Sequence, residues 1–271
     1  MLQKKVEETV SFIRSKTSLQ PEIGLVLGSG LGALGEQLEE ACSIPYEEIP
    51  HFARSTAPGH KGRLIIGRMK GKTLLCMQGR FHYYEGYTMQ QVTYPVRVMK
   101  ALGIGTLILT NSCGGLNPDF DPGDLMVITD HINYMGANPL IGPNEDAFGT
   151  RFPDMTRTYS RDLTALAKAT AKDMGITLHE GIYLGYSGPS FETPAEIRMF
   201  KQLGASVVGM STVPEAIVAS HCRMNLLAIS CVTNLAAGIL DVPLTGEEVI
   251  EVANQAGKKF TGLLAEIVGR M

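Results

Sequence analysis

Three segments of this 271-residue sequence carry residues suited to holding an anion. Residues 27–33 read LGSGLGA after an apolar run, and such small residues let backbone amides approach a phosphate at the start of a helix. Gly28, Gly30 and Ala33 also fit the dinucleotide-binding pattern, with Glu48 placed as a ribose-binding acid. Because a tight strand-to-helix turn needs glycine for steric reasons alone, a plain turn and an anion loop are equally good interpretations.

The second segment, residues 78–86, reads QGRFHYYEG. If it stays extended beyond a strand, Arg80, His82 and Tyr84 point to one side. The guanidinium fork of arginine matches phosphate oxygens, and the histidine adds a second donor. The alternative is an arginine in a loop salt bridge with aromatic residues closing a core, but three polar groups on one face favour a site.

The third segment reads GMST at 209–212, directly before a helix. Ser211 presents its hydroxyl and backbone amides towards the positive end of the helix dipole. Taken alone, such a serine is more often a cap or a turn residue. In α/β folds, however, the carboxyl ends of strands converge at one crevice, so distant segments can form one anion site.

Further polar segments suit a flat heterocycle with donor and acceptor edges. Phe191 and Glu192 lie in a glycine–proline loop ahead of a helix, and Thr233 and Asn234 end an apolar strand. Buried polar groups of this kind must be paired by the protein or by a ligand. In the simpler interpretation, Glu192 is an exposed acid at a helix start and Asn234 satisfies a loop backbone. The TNSCGG segment at 110–115 likewise ends a strand with small residues that allow a ligand close to the backbone.

Alternating strands and helices must position these segments. Apolar runs of strand length predict strands at 23–27, 63–69, 72–78, 105–111, 125–130, 182–186, 206–209 and 226–233. Helical spacing and capping signals predict helices at about 3–16, 89–102, 160–174, 194–203, 213–222 and 245–268. The alternation predicts one domain over 1–271, an α/β three-layer sandwich with helices flanking a central sheet. A hairpin predicted at Lys70-Gly71 makes that sheet mixed.

Composition excludes several classes of protein. Charged residues make up 19% and hydrophobic residues 44%, which is too apolar for a disordered chain. The net charge of −3 gives no basic surface for nucleic acid. The sequence shows no apolar stretch long enough for a bilayer, no signal-peptide core, and no paired spacing of its five cysteines for disulfides or zinc. We therefore expect a cytoplasmic, globular protein with no metal, no nucleic-acid partner and no membrane partner.

Taken together and in their order, these motifs resemble those of the trimeric purine nucleoside phosphorylases that are specific for 6-oxopurines. The matching landmarks cover nearly the whole chain: LGSGLG at 27–32, PGHKGRL at 58–64, QGRFHYYEGY at 78–87, TNSCGGLNP at 110–118, DHIN at 130–133, GPN at 142–144, RFPDM at 151–155, GPSFETPAEIR at 188–198, GMSTVPE at 209–215 and CVTN at 231–234. The resemblance implies the nucleoside phosphorylase fold and a homotrimer. It also implies a pentosyl transfer used in purine salvage.

In that reaction, phosphate attacks C1′ of inosine, guanosine or a 2′-deoxy analogue and releases the free base and (deoxy)ribose 1-phosphate. Inorganic phosphate is a co-substrate, and no cofactor is implied. The transition state resembles an oxocarbenium ion, with negative charge moving onto the purine, so catalysis rests on positioning and electrostatics.

The resemblance assigns the candidate residues to two ligands. The phosphate contacts it implies are Ser29, His60, Arg80, His82, Ser112 and Ser211, with His60 approaching from a loop and Ser112 acting through its backbone. The nucleoside contacts it implies are Tyr84, Phe152, Phe191, Glu192, Met210, Thr233 and Asn234, with Phe152 reaching the sugar of a neighbouring subunit. His82, Glu192 and Asn234 are the residues implied in catalysis: Glu192 accepts from N1–H and Asn234 binds O6 and N7 of the base.

One position departs from the family, whose members usually carry a histidine for the ribose 5′-hydroxyl just inside the last helix. Gly246 stands at that place, so the sequence leaves open how the 5′-hydroxyl is bound. A small residue there would make room for a methylthio group, which favours the sister enzyme methylthioadenosine phosphorylase, whereas Glu192 and Asn234 favour 6-oxopurines. A nicotinamide-dependent dehydrogenase and a catalytically silent nucleoside-binding protein are the remaining alternatives.

Overall fold

A mixed sheet of nine strands organises the fold in the computed structural model, which describes residues 2–240 and 243–271. The strands are β1 (Ile23–Leu27), β2 (Glu39–Pro45), β3 (Arg63–Met69), β4 (Lys72–Gln78), β5 (Thr106–Gly115), β6 (Leu125–Tyr134), β7 (Leu178–Tyr186), β8 (Val207–Gly209) and β9 (Asn225–Leu235). The α-helices are α1 (Leu2–Lys16), α2 (Met89–Ala101), α3 (Arg161–Asp173), α4 (Pro194–Gln202), α5 (Val213–His221) and α6 (Gly246–Arg270).

The order of the sheet brings the strand ends that carry polar residues to one edge. Neighbouring strands follow the order β2-β3-β4-β1-β5-β8-β7-β6-β9, and β9 also pairs with β5. The strands β1, β4, β5 and β9 run parallel to one another, so their carboxyl ends open on the same side. The short strand β8 pairs antiparallel with the last two residues of β5, which brings its own end to this edge.

Helices cover both faces of the sheet and confirm the predicted sandwich. Val10 of α1, Val96 of α2 and Ile217 of α5 belong to the apolar cluster on one face. Ala167 of α3 and Phe260 of α6 belong to the cluster on the other face. Successive residues of the fully buried strand β1 enter opposite clusters, as expected for a central strand covered on both sides.

The predicted hairpin and the predicted start of α4 are confirmed. The strands β3 and β4 pair antiparallel around Lys70-Gly71. Thr193 and Glu196 form a reciprocal capping box at the start of α4. The prediction of one domain over 1–271 includes Met1, Asp241 and Val242, which lie outside the described residues. Within the described residues, no helix is long and apolar enough to cross a bilayer.

Three local features differ from what the sequence led us to expect. The glycine-rich loop leads into a short 3₁₀ turn, Gly32–Gln37, where an α-helix was expected, because the chain must immediately enter β2. The strand β2 escaped prediction because it lies at the sheet edge, and five of its seven residues are exposed or half-buried polar or small residues. The chain does not stay extended from Arg80 to Tyr84, since Tyr83–Glu85 forms a 3₁₀ turn.

Candidate active site

A cavity of about 360 Å³ lies at the edge of the sheet where these strands end. Its wall combines the loops after β1, β4 and β8, the ends of β5 and β9, the loop before α4 and the first turn of α6. The predicted site residues that line it are Ser29, Arg80, His82, Tyr84, Ser112, Phe191, Glu192, Met210, Ser211, Thr233 and Asn234. Eleven positions from distant parts of the sequence therefore share one cavity.

Arg80 is the most buried cation of the cavity, with 2% of its surface exposed. Its Nη1 donates to the Thr110 carbonyl at 2.6 Å and to Ser211 Oγ at 3.4 Å. Its Nε donates to Glu215 Oε1 at 3.3 Å, and Nη2 lies 3.1 Å from Glu215 Oε2 without forming a hydrogen bond within the described chain. Nη2 is almost fully buried against Glu215, so Arg80 contributes a buried positive charge to the cavity wall, which favours an anion in the cavity.

His82 is oriented by a carboxylate that the sequence interpretation missed. Glu85 Oε1 accepts from the His82 backbone amide at 2.7 Å and lies 2.9 Å from ring Nδ1. Burial lowers the pKa of His82, so the ring is neutral at pH 7 and its Nδ1 proton faces the carboxylate. Burial alone would raise the pKa of Glu85, but hydrogen bonds from His82 and Thr56 outweigh it and lower that pKa to about 2. The i, i+3 spacing of His82 and Glu85 was the available signal.

His60 lies behind the cavity wall and does not itself line the cavity. Its Nε2 lies 3.3 Å from Ser29 Oγ, its Nδ1 accepts from the Arg80 amide at 3.2 Å, and its ring stacks on His82. Burial lowers the pKa of His60 to about 4. Gly79 lies directly below this ring with φ of 112°, and a Cβ there would come within 2.8 Å of the His60 Cβ. The loop thus holds a second neutral imidazole beside the anion-binding residues.

The polar side chains at the opposite end of the cavity make fewer hydrogen bonds to the rest of the protein. The Glu192 side chain is buried, and burial raises its pKa, with a smaller contribution from Glu196. Asn234 Nδ2 donates to the Leu235 carbonyl at 3.1 Å, and its Oδ1 lies 3.1 Å from the Thr233 hydroxyl. Phe191 closes the rim and is 40% exposed. An aromatic face, a carboxylate and an amide therefore converge, as a flat heterocycle requires.

Two small positions shape the wall between the ends. Ser112 lines the cavity and donates through Oγ to the Ser29 carbonyl at 3.2 Å, which joins β5 to the glycine-rich loop. Gly246 lines the cavity at the first residue of α6, and a Cβ there would meet no atom within 4 Å. The side of the cavity next to α6 therefore holds unfilled space.

Phe152, like His60, is a predicted site residue that does not line the cavity, and it lies in a different part of the surface. Its side chain is 84% exposed and lines a separate surface depression with Ile141 and Arg151. Its predicted contact with the sugar of a neighbouring subunit stays a prediction. Among the residues that the structure describes, no cluster of three or more metal-ligating side chains occurs.

The sequence is similar to one known family and to several of its members. A family model described as the phosphorylase superfamily matches residues 22–269. The chain is 54% identical over 266 residues to purine nucleoside phosphorylase 1 of Geobacillus stearothermophilus, covering 98% of this chain and 97% of that protein. It is 48% identical over 263 residues to the purine nucleoside phosphorylase of Bos taurus, covering 94% and 90%.

Solved structures show the same likeness at the level of the fold. A crystal structure of Schistosoma mansoni purine nucleoside phosphorylase with inosine superposes with a TM-score of 0.94 at 39% identity, covering 99% of this chain and 96% of that one. The structure with adenosine gives a TM-score of 0.95 at 40% identity, with coverage of 99% and 97%.

Proposed function

The chain belongs to the phosphorylase superfamily and within it to the purine nucleoside phosphorylases, and from this premise we propose its reaction. It catalyses the reversible phosphorolysis of inosine, guanosine and their 2′-deoxy analogues to the free base and (deoxy)ribose 1-phosphate. The observation that carries this assignment is the two-ended cavity, with Arg80 and Ser211 at one end and Glu192 and Asn234 at the other. Solved relatives that hold inosine, guanosine and hypoxanthine support it.

Phosphate is the nucleophile and binds at the Arg80 end. Arg80 supplies the positive charge of its guanidinium, Ser29 and Ser211 offer hydroxyl groups, and the backbone at Ser112 adds a dipole. Neutral His82, whose Nδ1–H faces Glu85, presents Nε2 as an acceptor for the P–OH of hydrogen phosphate or for a sugar hydroxyl. The anion placed against C1′ stabilises the positive charge that develops on the ribose.

The base leaves as an anion at the other end. Asn234 donates to the purine where negative charge accumulates, and Phe191 packs on the ring. Glu192 accepts from N1–H, which hypoxanthine and guanine carry and adenine lacks. Facing the adenine N1 lone pair would leave a buried carboxylate unpaired, so 6-oxopurines are the preferred substrates. Binding of adenosine, as in one solved relative, is compatible with slow turnover.

The remaining features of the proposal concern assembly and location. Phe152, exposed and apolar, suits contact with a second copy of the chain, and a homotrimer places it over the sugar of the neighbouring site. Inorganic phosphate is the co-substrate, the reaction uses no cofactor or metal, and the protein acts in the cytoplasm.

A second candidate is phosphorolysis of 5′-methylthioadenosine. The unfilled space beside Gly246 favours it, since a methylthio group would fit there. Glu192 opposes it, because adenine offers that carboxylate no proton. We therefore place it second.

The deciding experiment compares substrates with purified protein. Hypoxanthine release from inosine is followed with and without phosphate, and 5′-methylthioadenosine is tested in the same assay. We expect release only with phosphate and a clear preference for inosine. Preference for 5′-methylthioadenosine would exchange the two candidates, and phosphate-independent release would refute both.

A further inference from the structure

The turn that presents Ser211 to the cavity is strained. Thr212, the residue before α5, has φ of 68° and ψ of −53°, and the Val213 amide donates to the Ser211 carbonyl at 2.7 Å. This is a γ-turn with positive φ, a rare and strained conformation, and it is especially unfavourable for a β-branched residue. Such strain persists only where the surrounding contacts enforce it.

Buried contacts from two other elements enforce the turn. Glu215 Oε2 accepts from the Thr212 amide at 3.0 Å, and Asn111 Nδ2 donates to Thr212 Oγ1 at 3.0 Å. Ser211 Oγ lies 3.1 Å from the same Thr212 hydroxyl. Thr212 has no exposed surface and Glu215 only 4%, so water does not compete for these bonds.

The carboxylate that holds the turn also holds Arg80. Glu215 Oε1 accepts from Arg80 Nε at 3.3 Å, and Oε2 lies 3.1 Å from Nη2. Arg80 Nη1 in turn reaches Ser211 Oγ. Two anion-binding groups that are 131 positions apart in the sequence are thus fixed relative to each other by one buried side chain.

We infer that Glu215 is a positioning residue of the phosphate site, which aligns the Arg80 guanidinium with the strained Ser211–Thr212 turn. The inference rests on the proposed function for the identity of the anion. Glu215 does not line the cavity and acts only through Arg80 and the turn.

The charge of Glu215 and its positioning role predict opposite changes in phosphate binding when that charge is removed. A carboxylate beside Arg80 opposes the binding of an anion, because it neutralises the guanidinium. Two histidines near Arg80 have pKa values lowered by burial, His60 and His82, and the Glu85 carboxylate lies beside them. The tyrosines that also interact with Arg80 have pKa values raised by burial and stay neutral: Tyr46, Tyr84 and Tyr183. Removing the charge of Glu215 would strengthen phosphate binding if that charge were all that mattered, and would weaken it if positioning dominates.

A glutamine can keep the helix-capping part of the contact. The helix α2 uses Gln91 in this role: Gln91 Oε1 accepts from the Thr88 amide at 2.9 Å. Glu215→Gln therefore retains an acceptor for Thr212 and loses the charge and one of the two acceptors for Arg80.

The experiment measures separate KM values for phosphate and inosine in Glu215→Gln. We expect the phosphate KM to rise about tenfold or more, with the inosine KM changed less than about threefold. The matched control is Glu196→Gln, the capping-box glutamate of α4, whose carboxylate bonds to Thr193 and not to Arg80; its phosphate KM should not change. A lowered phosphate KM in Glu215→Gln, or an unchanged one with a lowered melting temperature, would overturn the inference.

A second pair of variants covers the case in which Glu215→Gln does not fold. Thr212→Gly relieves the strain of the positive φ angle and removes the hydroxyl. Thr212→Ser keeps the hydroxyl that Asn111 and Ser211 contact. We expect a raised phosphate KM in the glycine variant and restoration in the serine variant. An equal phosphate KM in both would contradict the positioning role.

The increase in melting temperature caused by inorganic phosphate distinguishes a failure of the proposed function from a failure of the inference about Glu215. If the wild-type chain shows no phosphorolysis, the proposed function fails. The inference about Glu215 then still stands or falls on whether the phosphate-induced increase is smaller in Glu215→Gln than in the wild type and in Glu196→Gln. A full increase in Glu215→Gln would refute it.

Discussion

The two ends of the cavity differ in how much of their hydrogen bonding the protein supplies itself. At the phosphate end, Arg80 is held by Glu215, Thr110 and Ser211, and His82 is held by Glu85. At the purine end, Asn234 bonds only to its neighbours Thr233 and Leu235, and the Glu192 carboxylate makes no hydrogen bond to another residue in the described part of the chain.

The difference suggests a division of labour. The phosphate end is preorganised, so little reorganisation is needed when the nucleophile binds. The purine end is completed by the base itself, which supplies the N1–H that Glu192 needs. Variants at the first end should therefore alter phosphate kinetics, and variants at the second should alter the chemical step and the choice of base.

Replacing Arg80 by lysine should have the largest effect. Lysine keeps the charge and loses the fork that engages Glu215, Thr110 and the anion together, so kcat/KM for phosphate should fall about a thousandfold. Arg198→Lys on the exposed side of α4 is the control and should match the wild type. A loss confined to inosine kinetics would contradict the assignment of the two ends.

Asn234→Ala should come next. It removes a donor to the departing purine, and the loss of one such donor typically costs about a hundredfold in kcat. Single-turnover kinetics should show the loss in the chemical step, with an unchanged phosphate KM. Asn225→Ala, at the exposed start of the same strand, is the control. Equal losses in kcat and in phosphate affinity would show that the ends are not separate.

The selectivity between inosine and adenosine should depend on pH. Burial raises the pKa of Glu192, so this carboxyl group becomes protonated at a higher pH than an exposed glutamate. The protonated form can donate to N1 of adenine, so kcat/KM for adenosine should rise about tenfold per pH unit as pH falls towards that pKa. Above that pKa the value for inosine should stay flat.

Glu192→Gln provides the comparison for this pH profile. An amide can donate to adenine N1 or accept from hypoxanthine N1 without titrating, so the ratio of the two kcat/KM values should become independent of pH in this range. A ratio that is already independent of pH in the wild type would show that Glu192 does not distinguish adenine from hypoxanthine.

Gly246→His should have the smallest effect. The unfilled space beside Gly246 accepts a side chain, and an imidazole there can bond to the ribose 5′-hydroxyl. We expect the inosine KM to fall about threefold to tenfold, as for one added hydrogen bond, while Gly246→Ala stays near the wild-type value. No change in KM with histidine would exclude a role for this position in binding the sugar.

Much of the site could be predicted from the sequence because its polar residues follow apolar strands. Ser29, Arg80 and Asn234 each come within two residues of a strand end or lie inside it, and parallel strands bring such ends together. Most strands and helices were predicted within a few residues for the same reason: their apolar pattern is regular. The exposed edge strand β2 has no such pattern and was missed.

The two supporting carboxylates, Glu85 and Glu215, were not predicted, because sequence spacing alone does not show which side chains they contact. Glu215 showed a capping-box spacing, but its contact with Arg80 depends on how β4 and α5 pack in three dimensions. Glu85 and His82 are near neighbours in sequence, yet the pairing needs the 3₁₀ turn at Tyr83–Glu85 in place of the expected extended chain. Residues that position other residues are set by tertiary structure, and motifs mark mainly those that touch the ligand.

The most direct test of a cavity with two distinct ends is a crystal structure of the protein with phosphate and hypoxanthine. We expect phosphate oxygens within hydrogen-bonding distance of Ser211 Oγ and beside the Arg80 guanidinium, and the hypoxanthine N1 within that distance of Glu192. Phosphate bound away from Arg80, or a base that does not contact Glu192 and Asn234, would contradict this expectation.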